Sequence, residues 1–376
     1  MTTLDIKPSL ITWAINRAGL DFQDFISKSP NVQKWINREK APTIKQLEKF
    51  SEQTHIPFGY FFLDTPPEME LTFPFFRTQS GAGTHTSLEV FDTVCTMQRR
   101  QEWLKEYILT IGGEPLSFVG KFKDNSVGMV VESMRDVLNL PENWAMEFST
   151  WQSALDTLTK KVEDSGIIVT FNGVVGNNTR RPIKVDECRG FVLTDEIVPF
   201  MFINNADSKS AQMFTIAHEL AHIWIGETAG FDFRQLIPAD DAIELFCDKV
   251  AAEFLVPEGL FNHCWGNPGL KNNFNALSRH FKVSELVIAR RALDTEKISK
   301  SEFFEFYNQY INKERETKQS SGGGDFYLTT RKRISLKFAS YINSAVKTGD
   351  ILHRDAYKLT GLRGDTFYKF ISDNFG

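Results

Sequence analysis

The chain has 376 residues, a hydrophobic fraction of 41%, a charged fraction of 24% and a formal net charge of −5 at pH 7. The length is too great for one compact core and predicts two to four domains, and the composition excludes a disordered or fibrous chain. The negative net charge excludes a global attraction for nucleic acid, so a DNA contact requires a local basic patch.

Four cysteines are scattered without the C-x-x-C spacing of a metal or redox site, at Cys95, Cys188, Cys247 and Cys264. The N-terminus has no apolar signal segment, and no run approaches the ~18 apolar residues that span a bilayer. We therefore expect a reduced, cytoplasmic protein that does not contact a membrane. No cysteine is needed as a metal ligand.

Residues 9–63 predict several short helices, which are separated by Gly19, Pro30, Pro42 and Pro57. Asp21 and Thr43 occupy predicted N-cap positions. The sequence WINREKAPTIKQLEKFSEQTHIP at 35–57 resembles the end of the recognition helix and the following helix of a Cro/CI-type (XRE) helix-turn-helix.

This resemblance implies an all-α helix-turn-helix domain over residues 1–66. The segment is locally basic, and a recognition helix presents polar side chains at its N-terminal end. The candidate DNA-contacting residues are Asn31, Gln33, Lys34, Asn37 and Arg38. The alternative is a helical unit that no longer binds DNA and instead packs against the rest of the chain or docks a protein.

Residues 67–128 are predicted to form a linker and a long bracing helix. The linker is the Pro- and Gly-rich stretch 65–84, and the helix covers Ser87 to Leu109. Two further helices are predicted near Val131 to Leu138 and Thr150 to Glu163.

Three strands follow, GIIVTF at 166–171, FVLTD at 191–195 and VPFMFIN at 198–204. The last is apolar on both faces. It could therefore be a strand at the edge of a cleft, where a peptide adds as a further strand, or a buried central strand.

The next segment, FTIAHELAHIW at 214–224, carries the most informative motif of the chain. His218 and His222 are four residues apart in a helical pattern, so their imidazoles lie on one face and can converge on one ion. Glu219 can face the open side of that ion. This is the HExxH arrangement of zinc peptidases, in which two histidines bind the metal and the glutamate is the general base.

A catalytic zinc ion also needs a third protein ligand. The metzincin pattern is excluded because Ile225 and Thr228 stand where it requires Gly and His. The helical stretch Ile243 to Pro257 instead offers Glu244 and Asp248 on one face. We assign Glu244 as the third ligand and Asp248 as the carboxylate that orients a ligating histidine. The alternative for these two acids is a solvated polar helix face.

FTIAHELAH, the E-x-x-x-D pair and VAAEFLVP together resemble the ImmA/IrrE family of bacterial and phage metallopeptidases. The similarity extends upstream through RGFVLTDEIVPFMFIN at 189–204. Cys247-Asp248 departs from the usual Ala-Asn of the family, and Val250-Ala251 departs from its Phe-Ala. Asp at this position is similar to thermolysin-type gluzincins.

The resemblance implies an α+β, mostly helical fold with a small mixed sheet and a gluzincin-like core over residues 129–300. It also implies a selective protease that cleaves a helix-turn-helix repressor and thereby switches on phage, mobile-element or stress genes. The expected cofactor is Zn²⁺, although manganese or another ion remains open.

After Pro257 we predict two more helices, and residues 301–376 resemble the C-terminal extension of longer relatives. His263 and His280 are isolated and are not assigned as ligands. The Gly-rich stretch Ser321 to Tyr327 lacks the Gly-Lys-Ser/Thr of a phosphate loop. Arg331, Lys332 and Arg333 are predicted to be a solvated helix start.

Two rival functions remain beside the protease. The chain could be a DNA-binding regulator, or an antitoxin-like partner of a toxin or other neighbouring-gene product, in which the zinc fold is a scaffold. The second rival is a structural zinc site. Such a site has four protein ligands, and only three are evident in the sequence.

Overall fold

The computed structural model describes residues 2–69, 86–122, 126–226, 229–231, 242–270, 272–317 and 326–376. They fall into two compact units, one of residues 2–69 and 86–94 and the other from residue 95 onward. Most of the predicted linker and the predicted Gly-rich turn lie outside the described residues.

The first unit is helical, as predicted. It contains α1 (Pro8–Arg17), α2 (Phe22–Lys28), α3 (Pro30–Ile36), α4 (Ile44–Thr54), a 3₁₀ turn (Phe58–Phe62) and the start of α5 (Leu88–Thr110). Its core is made by buried apolar side chains, including Leu10, Ile11, Val32, Trp35, Leu47, Phe50 and Phe61. Both predicted N-caps are confirmed, since Asp21 accepts from Asp24 N and Thr43 forms a capping box with Gln46.

The candidate DNA-contacting residues lie on α3 and just after it. Asn31, Lys34, Asn37 and Arg38 are exposed. Gln33 Nε2 donates to Asn37 Oδ1 at 2.8 Å, and Asn37 Nδ2 donates to Glu39 Oε1 at 2.8 Å. Their contact with DNA stays a prediction.

The second unit begins within α5 and continues through α6 (Val127–Leu138), a 3₁₀ turn (Trp144–Glu147) and α7 (Trp151–Asp164). The strands and the two central helices follow as β1 (Ile168–Phe171), β2 (Val174–Val175), β3 (Asn178–Pro182), β4 (Gly190–Leu193), β5 (Phe200–Ile203), α8 (Lys209–Ile225), β6 (Ala229–Phe231) and α9 (Ala242–Leu255). The remaining helices are α10 (Glu258–Trp265), α11 (Phe274–Phe281), α12 (Glu285–Asp294), α13 (Lys300–Thr317), α14 (Phe326–Ile334), α15 (Leu336–Thr348), α16 (His353–Thr360) and α17 (Gly364–Phe375).

This arrangement confirms the predicted mostly helical α+β fold with a small mixed sheet. The sheet has the order β1-β5-β4-β6, in which β1 and β5 are parallel and the other pairs are antiparallel. β5 is therefore a central strand with hydrogen-bonded neighbours on both sides, and the edge-strand interpretation of this segment is wrong. Its apolar residues face two layers at once, which explains why both of its faces are hydrophobic.

Helix α8 is the centre of the second unit. Ser208 caps its N-terminus by accepting from Ala211 N, and Gly226 ends it in the left-handed conformation at φ 81°. Every residue from Gln212 to Ile225 is buried. A helix buried on all sides has a fixed position, so the polar side chains it carries are held in place by the surrounding core.

Gly190, the first residue of β4, permits the close approach of α8 to the sheet. A Cβ atom at this position would lie 2.5 Å from Thr215 Cγ2 and 2.9 Å from the Phe202 carbonyl oxygen. Neither the β-branched side chain nor the backbone can move away cheaply, because both are packed in the core.

We therefore expect Gly190→Ala to lower the free energy of unfolding by about 1–3 kcal/mol. Gly128→Ala is the matched control, because a Cβ at that exposed helical position meets nothing within 4 Å. That control should raise stability by about 0.4–1 kcal/mol. Chemical denaturation of both variants measures the difference, and equal effects would show that α8 is not packed against Gly190.

Two local predictions in the C-terminal part are wrong. Two helices were predicted between Pro257 and residue 294, but the structure has three, α10 to α12. The segment around Pro268 interrupts the apolar pattern and separates α10 from α11. Arg331, Lys332 and Arg333 form the last turn of α14 rather than a helix start. All three are half-buried, and Lys332 forms an ion pair with Asp156 at 2.8 Å.

Candidate metal centre

The structure brings His218, His222 and Glu244 together as a buried group with ligand atoms within 4.8 Å of one another. The two histidine Nε2 atoms are 3.1 Å apart. Glu244 Oε2 is 3.2 Å from His218 Nε2, and Glu244 Oε1 is 3.2 Å from His222 Nε2. One turn of α8 supplies both imidazoles and the first turn of α9 supplies the carboxylate.

The donor set fits a divalent metal ion. Tetrahedral ligands at about 2.0–2.1 Å from zinc lie about 3.3 Å apart, close to the separations between these three side chains. Among the described residues, two imidazoles and one carboxylate make three potential protein ligands, the number found in catalytic rather than structural zinc sites. The group could therefore hold a metal ion.

Asp248, one turn after Glu244 on α9, lies behind the first histidine. Its Oδ1 is 3.0 Å from His218 Nδ1, the ring nitrogen that faces away from His222. A carboxylate at this distance accepts the Nδ1–H hydrogen bond, which leaves Nε2 as the nitrogen that can bind a metal. His222 Nδ1 has no hydrogen-bond partner within the described ranges of the chain.

Glu219 is fully buried beside the group, and neither of its carboxylate oxygens has a hydrogen-bond partner among the described residues. A carboxylate in this position is costly unless a positive charge or a polar ligand compensates it. Glu219 is thus a buried acid without a structural partner in this part of the chain, next to three potential metal ligands. The functional roles of these five residues stay predictions.

Burial and the neighbouring charged groups shift the pKa of each member of the group. Without metal, burial disfavours the charged form of His218, but hydrogen bonds to Asp248 and Glu244 outweigh it and raise its pKa to about 10. Burial likewise opposes ionisation of Glu244, yet its hydrogen bonds from His218 and His222 lower its pKa to about 2. Burial lowers the pKa of His222. Burial also raises the pKa of Glu219 to about 8, and the negative charge of Glu244 adds to this effect.

Metal affinity should therefore rise with pH. His218 binds a metal only as the neutral imidazole, and at pH 6–8 its pKa of about 10 keeps it protonated in the metal-free protein. Metal binding must then release at least one proton, so the dissociation constant should fall about tenfold for each pH unit in this interval. Competition with a chromophoric chelator at several pH values measures it, and an affinity independent of pH would contradict the assignment of His218 as a ligand.

Replacing Asp248 tests how His218 is held. Asp248→Asn removes the charge behind the imidazole while preserving its shape, and should weaken metal binding about 10–100-fold without abolishing it. Asp136→Asn, an exposed acid on α6, is the matched control and should leave the affinity unchanged. An equal affinity in both variants would show that Asp248 does not orient the ligand.

The other histidines and cysteines singled out in the sequence are not part of this group. His263 is exposed on α10, and the ring of His280 on α11 meets that of Phe281 edge to face with centroids 5.4 Å apart. Cys247 is buried on α9 and no cysteine forms a disulfide.

A cavity of 540 Å³ opens beside Asp248, and no sequence pattern had indicated it. Phe214 of α8, Leu245 of α9 and Val287 of α12 line it, together with several charged side chains from α9, α10 and α12. At one side Arg291 forms an ion pair with Glu253. Because these residues come from separate helices, no local motif could have revealed the cavity.

Residues 163–293 match the family model of the IrrE N-terminal-like domain, peptidase family M78. The chain contains an IrrE N-terminal-like domain. The match covers the sheet, α8 and α9, and so includes the whole buried His-His-Glu group. The predicted metallopeptidase domain is thereby supported, whereas its predicted boundaries at 129 and 300 stay predictions.

A second match covers residues 334–373, which correspond to a domain of unknown function, DUF8813. Neither match reaches residues 1–66, so the helix-turn-helix domain expected there stays a prediction. No curated protein matches the chain.

Within the described part of the chain, no helix has the length and hydrophobicity needed to cross a membrane.

Proposed function

We propose that the protein is a zinc-dependent endopeptidase that selectively cleaves another protein. The observation that carries this proposal is the buried His218, His222 and Glu244 group with the unpaired carboxylate of Glu219 beside it. A scaffold has no chemical need for that carboxylate, and burying it costs stability. A hydrolase needs it as a proton carrier.

His218, His222 and Glu244 would hold the ion. A bound zinc ion would polarise the scissile carbonyl and lower the pKa of a water molecule toward about 7. Asp248 holds His218 in the tautomer that presents Nε2 to the ion. The helix core around α8 fixes both imidazoles, so little reorganisation is needed on metal binding.

Glu219 moves the proton in this mechanism. Its carboxylate takes a proton from the attacking water as the new C–O bond forms at the peptide carbon. The same carboxyl group then gives that proton to the leaving amine as the C–N bond breaks. Burial raises the pKa of Glu219 to about 8 in the metal-free protein, and a cation held by the neighbouring ligands would lower it and so favour the carboxylate that acts as the base.

The proposed substrate is a helix-turn-helix repressor, whose cleavage would switch on phage, mobile-element or stress genes. Support comes from the resemblance to the ImmA/IrrE peptidases and from the N-terminal helices, whose exposed polar residues would recognise the repressor or its operator. We further propose that the cavity beside Asp248 accepts a substrate side chain with both apolar and polar parts, since charged residues line it beside Phe214, Leu245 and Val287.

The test is incubation of the metal-loaded chain with the repressor encoded beside its gene, followed by mass spectrometry of the products. Discrete fragments together with one zinc ion per chain are the expected result. Metal analysis of the same sample distinguishes zinc from manganese.

Stoichiometric metal without cleavage of the repressor or any neighbouring-gene product would instead favour the regulator or antitoxin-like function. In that case the exposed residues Asn31, Lys34 and Arg38 become the first positions to alter, and DNA or toxin binding becomes the measured property.

A further inference from the structure

The last three helices form a small unit of their own within the second compact unit. Helix α15 packs against both α16 and α17. Their facing sides are buried and apolar, with Ala345, Ala356, Leu359, Leu362, Phe367 and Phe370 at 6% exposure or less. This unit coincides with the segment of unknown function at 334–373.

Helices α16 and α17 are joined by a three-residue turn, Gly361, Leu362 and Arg363. Gly361 has a left-handed φ of 72°, and Leu362 is buried beneath the turn. The rings of Tyr357 on α16 and Phe367 on α17 meet edge to face at 5.2 Å. Two helices joined by a short glycine-containing turn and packed on a third share this connectivity with a DNA-binding helix-turn-helix.

The inner side of this unit is fixed to the peptidase part of the chain. Arg100 of α5 is buried and donates through Nε to the Leu359 carbonyl at 2.8 Å and through Nη1 to the Arg333 carbonyl at 3.1 Å. Phe338 of α15 packs against Trp103 and Phe200 with centroid distances of 5.8 and 5.6 Å. The outer side, which carries the exposed face of α17, therefore has a fixed orientation.

The exposed face of α17 is polar, beginning in the first turn of the helix. Asp365, Thr366 and Lys369 are exposed, and Tyr368 is 51% exposed. In a helix-turn-helix the N-terminal residues of the second helix contact base edges in the major groove. Hydroxyl and ammonium groups are among the side chains that make such contacts, whereas the carboxylate of Asp365 repels the phosphate backbone.

The β2–β3 hairpin stands beside the same turn. Asn177 at its tip donates through Nδ2 to the Gly361 carbonyl at 3.2 Å, and its Oδ1 accepts from Arg333 Nη1 at 3.3 Å. Arg180, three residues further along the hairpin, is exposed. The tip of the hairpin is thus held against the turn that precedes α17, and the hairpin carries one exposed arginine.

The charge of this surface is complementary to a phosphate backbone. Five exposed basic residues lie on the hairpin, α16, the turn and α17, namely Arg180, Arg354, Lys358, Arg363 and Lys369. Three acidic residues on α16 and α17 offset part of this positive charge. Asp355 pairs with Lys358 at 3.2 Å and with Arg354 at 3.6 Å, while Asp365 and Asp373 are exposed. Among the described residues this surface therefore has two more basic than acidic side chains, and a local positive excess is what a nucleic-acid-binding surface requires.

We propose that α16, α17 and the β2–β3 hairpin form a surface that binds double-stranded DNA, with α17 in the major groove and Arg180 on the backbone. This activity is separate from the proposed peptidase function, because no residue of the surface belongs to the buried metal group. It places a DNA contact in the second compact unit, whatever the N-terminal helices bind.

The test measures binding of the full chain to a mixed-sequence DNA duplex by fluorescence anisotropy at several salt concentrations. Arg363→Glu with Lys369→Glu is expected to weaken binding at least about tenfold, and Arg180→Glu several-fold, because phosphate contacts dominate affinity. The plot of log affinity against log salt concentration has a negative slope, and its magnitude should decrease by about one for each phosphate contact that is lost. Asp365→Asn should strengthen binding, a gain that an unfolded variant cannot mimic.

Two double variants distinguish this surface from the rest of the molecule. Lys160→Glu with Arg279→Glu changes the charge equally at exposed positions on α7 and α11, and should have a much smaller effect. Lys34→Glu with Arg38→Glu tests the N-terminal helices. Circular dichroism and metal content confirm that each variant is folded.

The proposal is overturned if the wild-type chain does not bind the duplex. It is also overturned if the Arg363 and Lys369 changes have no more effect than the matched control, or if only the N-terminal variant loses affinity.

Discussion

Glu219→Gln is expected to abolish protein cleavage while leaving the metal and the fold intact. Gln has the shape of Glu but cannot take a proton from water, so the general-base step is lost and turnover should fall by at least about 10²–10⁴-fold. The substitution is mild for the fold, because the raised pKa of about 8 keeps Glu219 largely neutral at pH 7 without metal. Fragments of the repressor are quantified by mass spectrometry and bound metal by elemental analysis.

Glu114→Gln is the matched control, since Glu114 is exposed and distant in sequence from the metal group. It should cleave at the wild-type rate. Full cleavage by Glu219→Gln would overturn the assigned role of Glu219. Full biological activity of this variant without any cleavage would favour the regulator function.

Loss of the metal is expected to have the largest effect on stability. Removing it with a chelator should lower the free energy of unfolding by about 4 kcal/mol when the free metal had been a thousandfold above its dissociation constant. His218→Ala should lose the metal permanently, because it removes one ligand and leaves Glu244 and Asp248 without their shared partner. Thermal unfolding with and without chelator, beside elemental analysis, measures both effects.

His263→Ala is the control for this experiment, because His263 is exposed on α10 and isolated from the metal group. It should keep one metal ion per chain and the full response to chelator. If His218→Ala also retained stoichiometric metal, or if the chelator left the unfolding temperature of the wild type unchanged, the metal centre would have to lie elsewhere.

Local sequence predicted the parts of the centre that lie on one helix. The four-residue spacing of His218 and His222 places both rings on the same face of α8 wherever that helix lies, so the sequence alone sufficed. The same reasoning predicted Glu244 and Asp248 on one face of α9. The helical caps at Asp21 and Thr43 were equally accessible, because a cap depends on residues within one turn.

Contacts between distant segments were settled only by the tertiary structure. Asp248 and His218 are 30 residues apart, and the 3.0 Å contact that selects His218 as the oriented ligand depends on how α9 packs on α8. Whether β5 lies at the edge or in the centre of the sheet was decided by its pairing with β1 and β4, since a strand that is hydrophobic on both faces fits either position. Arg331 to Arg333 were misjudged as solvated because their partners, Asp156 and Asn177, lie more than a hundred residues earlier.

The sequence by itself determined a mostly helical α+β chain with a motif for two metal-binding histidines and a candidate third ligand. Periodicity and spacing encode these features within a few turns of one helix. Only the tertiary structure assembled the buried group, left Glu219 without a partner among the described residues, opened the cavity beside Asp248 and placed the tip of the β2–β3 hairpin at the turn before α17. These features arise where several elements converge, and convergence is decided by packing of the whole core rather than by any local pattern.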